Sequence, residues 1–387
     1  MKYDFDTIVN RRHTDSLKWD VLDNELPMWV ADMDFRAPEP VLNKLHNIVN
    51  LANFGYKDIP DAYFEAFANF WARRHNYRMN KNDMIFSTGV VPAISSIVRK
   101  ITTPGEKVLV MEPCYNIFFN SIVNNGRFIL SSDLVYENNN YHIDFTDLEA
   151  KMSDPQVSLM ILCNPQNPTG NVWTREELDK IGKLAYKYNV VVLSDEIHCD
   201  IVEKGTKYCP YQSVSEINAQ NSITCISASK CFSLAGLQGA CVVVPNPNLR
   251  HKVWRGINTD EVGEANSFVC ETFISALTEC DDYLDQLNDY IKENKDYARN
   301  ILKGIKGVSL VDNKSLYLIW IDVSKVTNNS EKLCAHIRKE TGLFITPGNA
   351  YGNNSNTFVR INLATSLSNV KDGLDRFING IRTYKEN

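Results

Sequence analysis

Val190-Val191-Val192-Leu193-Ser194-Asp195-Glu196-Ile197-His198 begins as an apolar, largely β-branched run and breaks on a pair of acids. It reads as a buried strand that ends where the carboxylates begin. The run is one of a series. From Met84 to Val244 short apolar runs alternate with amphipathic stretches, the pattern of a mostly parallel sheet covered by helices on both faces. Strands are expected at Met84 to Ser87, Lys107 to Met111, Arg127 to Leu130, Val157 to Leu162, Val190 to Ser194, Ile223 to Ser227 and Ala240 to Val244. A helix is expected at Pro92 to Ile101, and another at Thr174 to Tyr188, where Thr174-Arg175-Glu176-Glu177 forms a capping box. Such sheets bind ligands beyond the carboxyl ends of their strands, where Gly89, Asn164, Asp195 and the Ser227 to Lys230 turn all fall.

The turn Ser227-Ala228-Ser229-Lys230 adds an amine to the acids of Asp195-Glu196. A lysine amine can form a Schiff base with an aldehyde, a carboxylate can hold a heterocyclic nitrogen protonated, and small hydroxyls can bond a phosphate. Together they point to pyridoxal phosphate chemistry. Each motif alone has a plainer reading: a solvated loop cation for Lys230, and the acids favoured at a helix start for Asp195-Glu196.

With 387 residues the chain can bury a large core and has room for one large unit and a smaller one. Hydrophobic residues at 44% and charged residues at 23% are ordinary for a soluble globular protein. The formal charge of −6, with no long basic stretch, argues against nucleic-acid and membrane partners. Met1-Lys2-Tyr3-Asp4-Phe5-Asp6 carries acids where a signal peptide needs a basic start, and no segment approaches the roughly 18 apolar residues of a membrane span. A cytoplasmic location is expected. The 10 cysteines include no Cys-x-x-Cys pair, so buried reduced thiols are expected and a metal site is not. Cys199 and Cys231 are set apart, because each adjoins a proposed cofactor motif.

Beyond about Asp281 the pattern changes. A long amphipathic helix is expected through Tyr283 to Ile305, a strand at Leu316 to Val323, a helix at Glu331 to Thr341, a strand at Phe358 to Leu363 and a closing helix at Ser366 to Tyr384. These divide the chain into a large cofactor-binding domain, 50–280, and a small α/β domain, 281–387, which the N-terminal segment 1–49 joins.

Between Asn82 and Leu234 the motifs Ser87-Thr88-Gly89-Val90-Val91, Glu112-Pro113-Cys114-Tyr115, Asn164-Pro165-Gln166-Asn167-Pro168-Thr169-Gly170, Asp195-Glu196 and Ser229-Lys230 follow in order. In this order they resemble the fold type I pyridoxal phosphate enzymes of the class I/II aminotransferase superfamily. Asn10-Arg11-Arg12-His13-Thr14-Asp15-Ser16-Leu17-Lys18-Trp19-Asp20 and Leu26-Pro27-Met28-Trp29-Val30-Ala31-Asp32-Met33-Asp34-Phe35 are similar to the MalY/PatB-type branch of cystathionine β-lyase-like carbon–sulfur lyases. The resemblance implies a pyridoxal 5′-phosphate cofactor bonded to Lys230, with Asp195 at the ring nitrogen and Tyr115 stacked on the ring. It places Asn164 and His198 at the phenolic oxygen, and Gly89, the Val90 and Val91 amides, Ser227 and, as second choice, Ser229 at the phosphate. Many aminotransferases have an Arg eight residues after the lysine, where this chain has Gln238. Tyr56 is expected to reach the phosphate of a neighbouring subunit, in a homodimer with shared sites. Arg360 is expected to hold the substrate carboxylate, with Ala31 and Asp32 lining the mouth beside Asn164.

The activity implied is β-elimination from cystathionine, cysteine or an S-substituted cysteine, giving a thiol, pyruvate and ammonia. Amino transfer is the alternative among enzymes. A regulatory binding role is the alternative of another class, since some relatives of this branch bind a transcription factor.

Overall fold

The computed structural model describes residues 2–385. Seven of the strands form one sheet: β1 (Met84–Ser87), β2 (Lys107–Val110), β3 (Phe128–Ser131), β4 (Val157–Cys163), β5 (Val191–Asp195), β6 (Ser222–Ile226) and β7 (Ala240–Val243). Their order across the sheet is β1-β7-β6-β5-β4-β2-β3. All pairings are parallel except those of β7, which runs antiparallel to both β1 and β6. The apolar runs are continuous because both faces are covered. Val108 and Val110 pack into one cluster with Leu159, Ile161 and Leu193, while Leu109 packs into another with Met160, Leu162 and Val192. Successive side chains on a strand point to opposite faces, so each strand feeds two cores.

A second sheet, antiparallel throughout, contains β8 (Ser309–Leu310), β9 (Leu318–Asp322), β10 (Thr346–Pro347) and β11 (Phe358–Asn362) in the order β8-β9-β11-β10. The helices Asp281–Leu302, Ser330–Thr341 and Leu367–Thr383 share its core, where Ala298, Ile337 and Phe377 join Ile319, Ile321, Val359 and Ile361. Leu26–Pro27 pairs in parallel with Leu343–Phe344. Among the described residues no helix is long and apolar enough to cross a membrane.

Most boundaries shift from the sequence reading by one to three residues, and two of the shifts have a plain physical cause. The helix expected from Pro92 begins at Val90, with Gly89 at its N-cap. A proline in the first turn is no obstacle, since the N–H it lacks has no intrahelical partner there. The strand expected from Leu316 begins at Leu318, because Leu316 adopts a φ of 63°, outside the extended region.

Candidate active site

Loops at the carboxyl ends of β1, β4, β5 and β6 wall a cavity of about 260 Å³. Lys230 lies in the connection from β6 to β7. Because β7 returns beside β6 antiparallel, this connection needs no crossover helix and can curl over the sheet edge to Gln238, whose φ is 57°. Lys230 Nζ donates to the carbonyl of Ala31 at 2.8 Å. Burial lowers the amine's pKa below the usual lysine value; Asp32 and Asp195 oppose the shift, and Arg360 adds to it.

Asp195 ends β5 on the same cavity, buried, with Oδ1 accepting from the N–H of Ile197 at 3.1 Å. Burial pushes its carboxyl up to about 7. A cationic N–H brought against this carboxylate would favour its ionised form. Tyr115 also faces the cavity, and burial raises its phenol to about 12, which keeps it protonated.

Gly89, Val90 and Val91 line the cavity where the helix Val90–Ile101 begins. The first amides of a helix have no partner within it and carry partial positive charge, so this end is suited to a phosphate. Ser229 lies on the same lining, as does Gln238 where a cation would have strengthened the clamp. His198 is buried on the wall with Nδ1 unpartnered. Burial, with the Lys230 and Arg360 charges, holds its pKa well below the ordinary histidine value. It is therefore a neutral hydrogen-bonding group with a free ring nitrogen.

Several expected residues stand elsewhere. Asn164 does not line the cavity: its amide donates to Cys209 O at 3.0 Å, because its backbone still follows β4 and pairs with Asp195 O at 2.9 Å. Three residues on, after the chain has turned, Asn167 takes the lining position. Gly170 ends that turn with a φ of 76°, and a Cβ there would lie 2.1 Å from the Asn313 side chain. Gln166 ties the turn to the loop of Tyr115 by donating to Met111 O and Pro113 O at 3.0 and 2.8 Å. Ser227 likewise stands behind the lining, its hydroxyl donating to Gly239 O at 2.7 Å, which reverses the expected ranking of the two serines. Ala31 lines the cavity but Asp32 does not, since its carboxylate pairs with Arg11 at 2.7 Å.

Arg360, on β11, is also absent from the lining and meets it through Asn167. It donates to Asn167 Oδ1 at 3.2 Å and to Trp29 O at 2.9 Å, with its Cζ 4.7 Å from the centre of the Tyr351 ring and its buried Nε unpartnered. Tyr56 is fully exposed and makes no part of this chain's cavity. Cys199 and Cys231 are absent from the lining as well, and burial raises both thiols well above their usual pKa, which makes them poor nucleophiles. Cys199 does lie near His75 and Asp200, with ligand atoms of the three within 4.8 Å of one another, but His75 and Asp200 already share a 2.8 Å hydrogen bond.

Sequence reasoning missed Asn167 as a site residue, although it had the motif; it also missed Tyr317, which no local pattern distinguishes. Tyr317 is buried and donates its hydroxyl to Ala31 O at 3.1 Å.

A family model described as aminotransferase class I and II matches residues 34–377. Cystathionine β-lyase PatB of Bacillus subtilis (strain 168) is 37% identical, over 96% of this chain and 98% of its own. Among solved structures, a PLP-bound putative aminotransferase from Clostridium difficile 630 is similar with a TM-score of 0.94 and 34% identity, covering 98% of this chain and 100% of that one. The PLP-bound C-S lyase from Staphylococcus hominis aligns with a TM-score of 0.91 and 30% identity, over 98% of each chain.

Proposed function

Because the chain belongs to the aminotransferase class I and II family, we propose that it is a pyridoxal 5′-phosphate-dependent carbon–sulfur β-lyase. Cystathionine, cysteine or S-substituted cysteines are its substrates, and a thiol, pyruvate and ammonia its products. One observation carries this reading: a half-buried amine of lowered pKa, Lys230, and a buried carboxylate raised to about 7, Asp195, line one cavity in a chain 37% identical to a cystathionine β-lyase.

The cavity fits the cofactor in its chemistry. A cationic N–H against Asp195 would favour its ionised form, His198 Nδ1 is buried without a partner, and the N–H groups of Val90 and Val91 can donate to an anion. When bound, the cofactor supplies an electron sink for the pair of electrons left at the substrate's α-carbon.

The chain's residues supply the rest. Lys230, once freed by the incoming amino group, would take the α-proton on Nζ, and its lowered pKa favours the neutral amine that this needs. Asp195 holds a proton on the ring nitrogen, and Tyr115 covers the ring. Ser229 with the first-turn amides binds the phosphate. Asn167 takes the role first expected of Asn164, and Arg360 binds the substrate carboxylate with its forked donors. Ala31 borders the substrate space. The sulfur then leaves the β-carbon with its bonding pair as a thiolate that takes up a proton, and water hydrolyses the released enamine to pyruvate and ammonia.

The sites are shared in a homodimer on this reading, since Tyr56, Phe54 and Leu51 form an exposed, partly aromatic edge that a second subunit would cover. The division into 50–280 and 281–387, with 1–49 joining the smaller unit, is supported by the two separate sheets and by the Leu26–Leu343 pairing. A cytoplasmic location accords with substrates of central amino-acid metabolism.

The test is to supply cystathionine, cysteine and S-substituted cysteines to the purified holoenzyme and to follow pyruvate and ammonia. Release of both without an added 2-oxo acid is expected. Product formation only with 2-oxoglutarate would replace the lyase by an aminotransferase.

A further inference from the structure

The two N-terminal stretches, Asn10 to Asp20 and Leu26 to Phe35, reach the reacting amine through one main-chain atom. The carbonyl of Ala31 accepts from Lys230 Nζ at 2.8 Å and from the Tyr317 hydroxyl at 3.1 Å. The neighbouring carbonyls are tied as well. Trp29 O accepts from Arg360 Nη2 and Thr346 Oγ1, both at 2.9 Å, while Asn362 Nδ2 donates to Val30 O at 2.7 Å and to Asp32 O at 2.8 Å. Four consecutive peptide carbonyls are thus held by side chains, outside any regular element.

The other end of this segment is clamped by charge. Asp34, with its side chain 3% exposed, accepts from Arg11 Nη2 at 2.7 Å, Lys18 Nζ at 2.9 Å and Trp19 Nε1 at 2.7 Å. Lys18, 1% exposed, also donates to Asp32 O at 2.9 Å, and Arg11 reaches the Asp32 carboxylate at 2.7 Å. Two cations and two carboxylates, of which Lys18 and Asp34 are deeply buried, are an inefficient way to stabilise a fold, because desolvation offsets most of the attraction. Their geometric consequence is definite: they set the path of residues 31 to 34.

We propose that Asp34, gripped by Arg11, Lys18 and Trp19, is a positioning residue that fixes the Ala31 carbonyl as the acceptor of the Lys230 amine whenever that amine is free, as after an incoming amino group has displaced it, with Tyr317 as the second donor to that oxygen. The inference rests on the reading of Lys230 as the reacting amine. A lysine side chain has many rotamers, and one N–H anchored on a fixed carbonyl directs the rest of the amine into the cavity. The acceptor also favours the ammonium form. Other groups act on the same amine: Asp32 and Asp195 favour its charge, Arg360 and burial disfavour it, and His198 and Tyr115 face the cavity uncharged.

The experiment compares holoenzymes of Asp34→Asn, Tyr317→Phe and Lys230→Ala by cofactor content, visible spectrum and the pH dependence of kcat. Asp34→Asn is expected to keep its cofactor and to lose roughly 10- to 100-fold in kcat with KM little changed, as a displaced catalytic group does. The acid limb of its kcat profile moves to lower pH, since an amine that loses its acceptor gives up its proton more readily. Tyr317→Phe leaves the carbonyl free for the lysine alone, so its limb moves to higher pH. Lower amplitudes with unmoved limbs in both variants would overturn the proposal, because a purely structural defect does not shift a titration. If Asp34→Asn does not fold, Tyr317→Phe decides by its limb alone. A Lys230→Ala protein that retains the wild-type visible band would remove the reading beneath the proposal, and the proposal with it; loss of that band with unmoved limbs isolates the failure to the positioning role.

Discussion

Arg360 shows how much of the site depends on a single side chain's geometry. It emerges from a strand flanked by the buried Val359 and Ile361, with its guanidinium divided between a side-chain oxygen of Asn167 and the carbonyl of Trp29. A planar fork can hold these contacts and still offer a parallel pair of donors to a carboxylate, whereas the three splayed donors of an ammonium cannot match a carboxylate in that way. Arg360→Lys should therefore leave cofactor content unchanged and raise KM for the amino-acid substrate by roughly tenfold or more, about 1.4 kcal/mol. Steady-state kinetics on cystathionine checks this, and an unaltered KM would take Arg360 out of substrate binding. The same scale explains the exchange of Asn164 for Asn167. Both belong to Asn164-Pro165-Gln166-Asn167-Pro168, and which one faces the cavity depends on where the chain leaves β4, not on residue type.

At the level of elements, local chemistry and observed structure agree closely. Thr174 caps the helix Arg175–Lys187: its hydroxyl accepts from Glu177 N at 3.2 Å, and Glu177 Oε2 accepts from Thr174 N at 2.7 Å, completing the capping box. This helix lies away from the cavity lining. Thr174→Ala is expected to cost about 1 kcal/mol of stability, read as a lower urea midpoint, with kcat unchanged. A loss of activity without a loss of stability would contradict that separation. The strands were legible because a sheet covered on both faces demands apolar runs, and their carboxyl ends were legible because the acids, amine and glycine stand just past them. The reversed direction of β7 was not legible. Parallel and antiparallel strands buried on both faces have the same composition, and direction follows from the path of the Lys230 connection.

For the whole molecule, the proposed homodimer is tested at Leu51, Phe54 and Tyr56, which are exposed. Tyr56 is fully exposed and stands apart from the cavity of its own chain, which is the arrangement needed to complete a partner's site. Mixing Lys230→Ala with Tyr56→Ala, each weakly active alone, should restore activity, because the mixed dimer contains one site with both residues intact. No recovery after subunit exchange, with dimers present by sedimentation, would show that each site is built from one chain.

The sequence by itself determined the succession of strands, the class of fold and that Lys230 and Asp195 come together at the carboxyl ends of the strands, because these follow from periodicity and from motif order along the chain. Only the tertiary structure decided which of two asparagines and which of two serines faces the cavity, that Asp32 turns to Arg11, and that Tyr317 and Lys230 share the Ala31 carbonyl. A side chain's direction is set by the turn it stands on and the partner it meets, and partners at separations from 12 residues, for Ser227 and Gly239, to 286, for Tyr317 and Ala31, follow no fixed spacing that a local pattern would record.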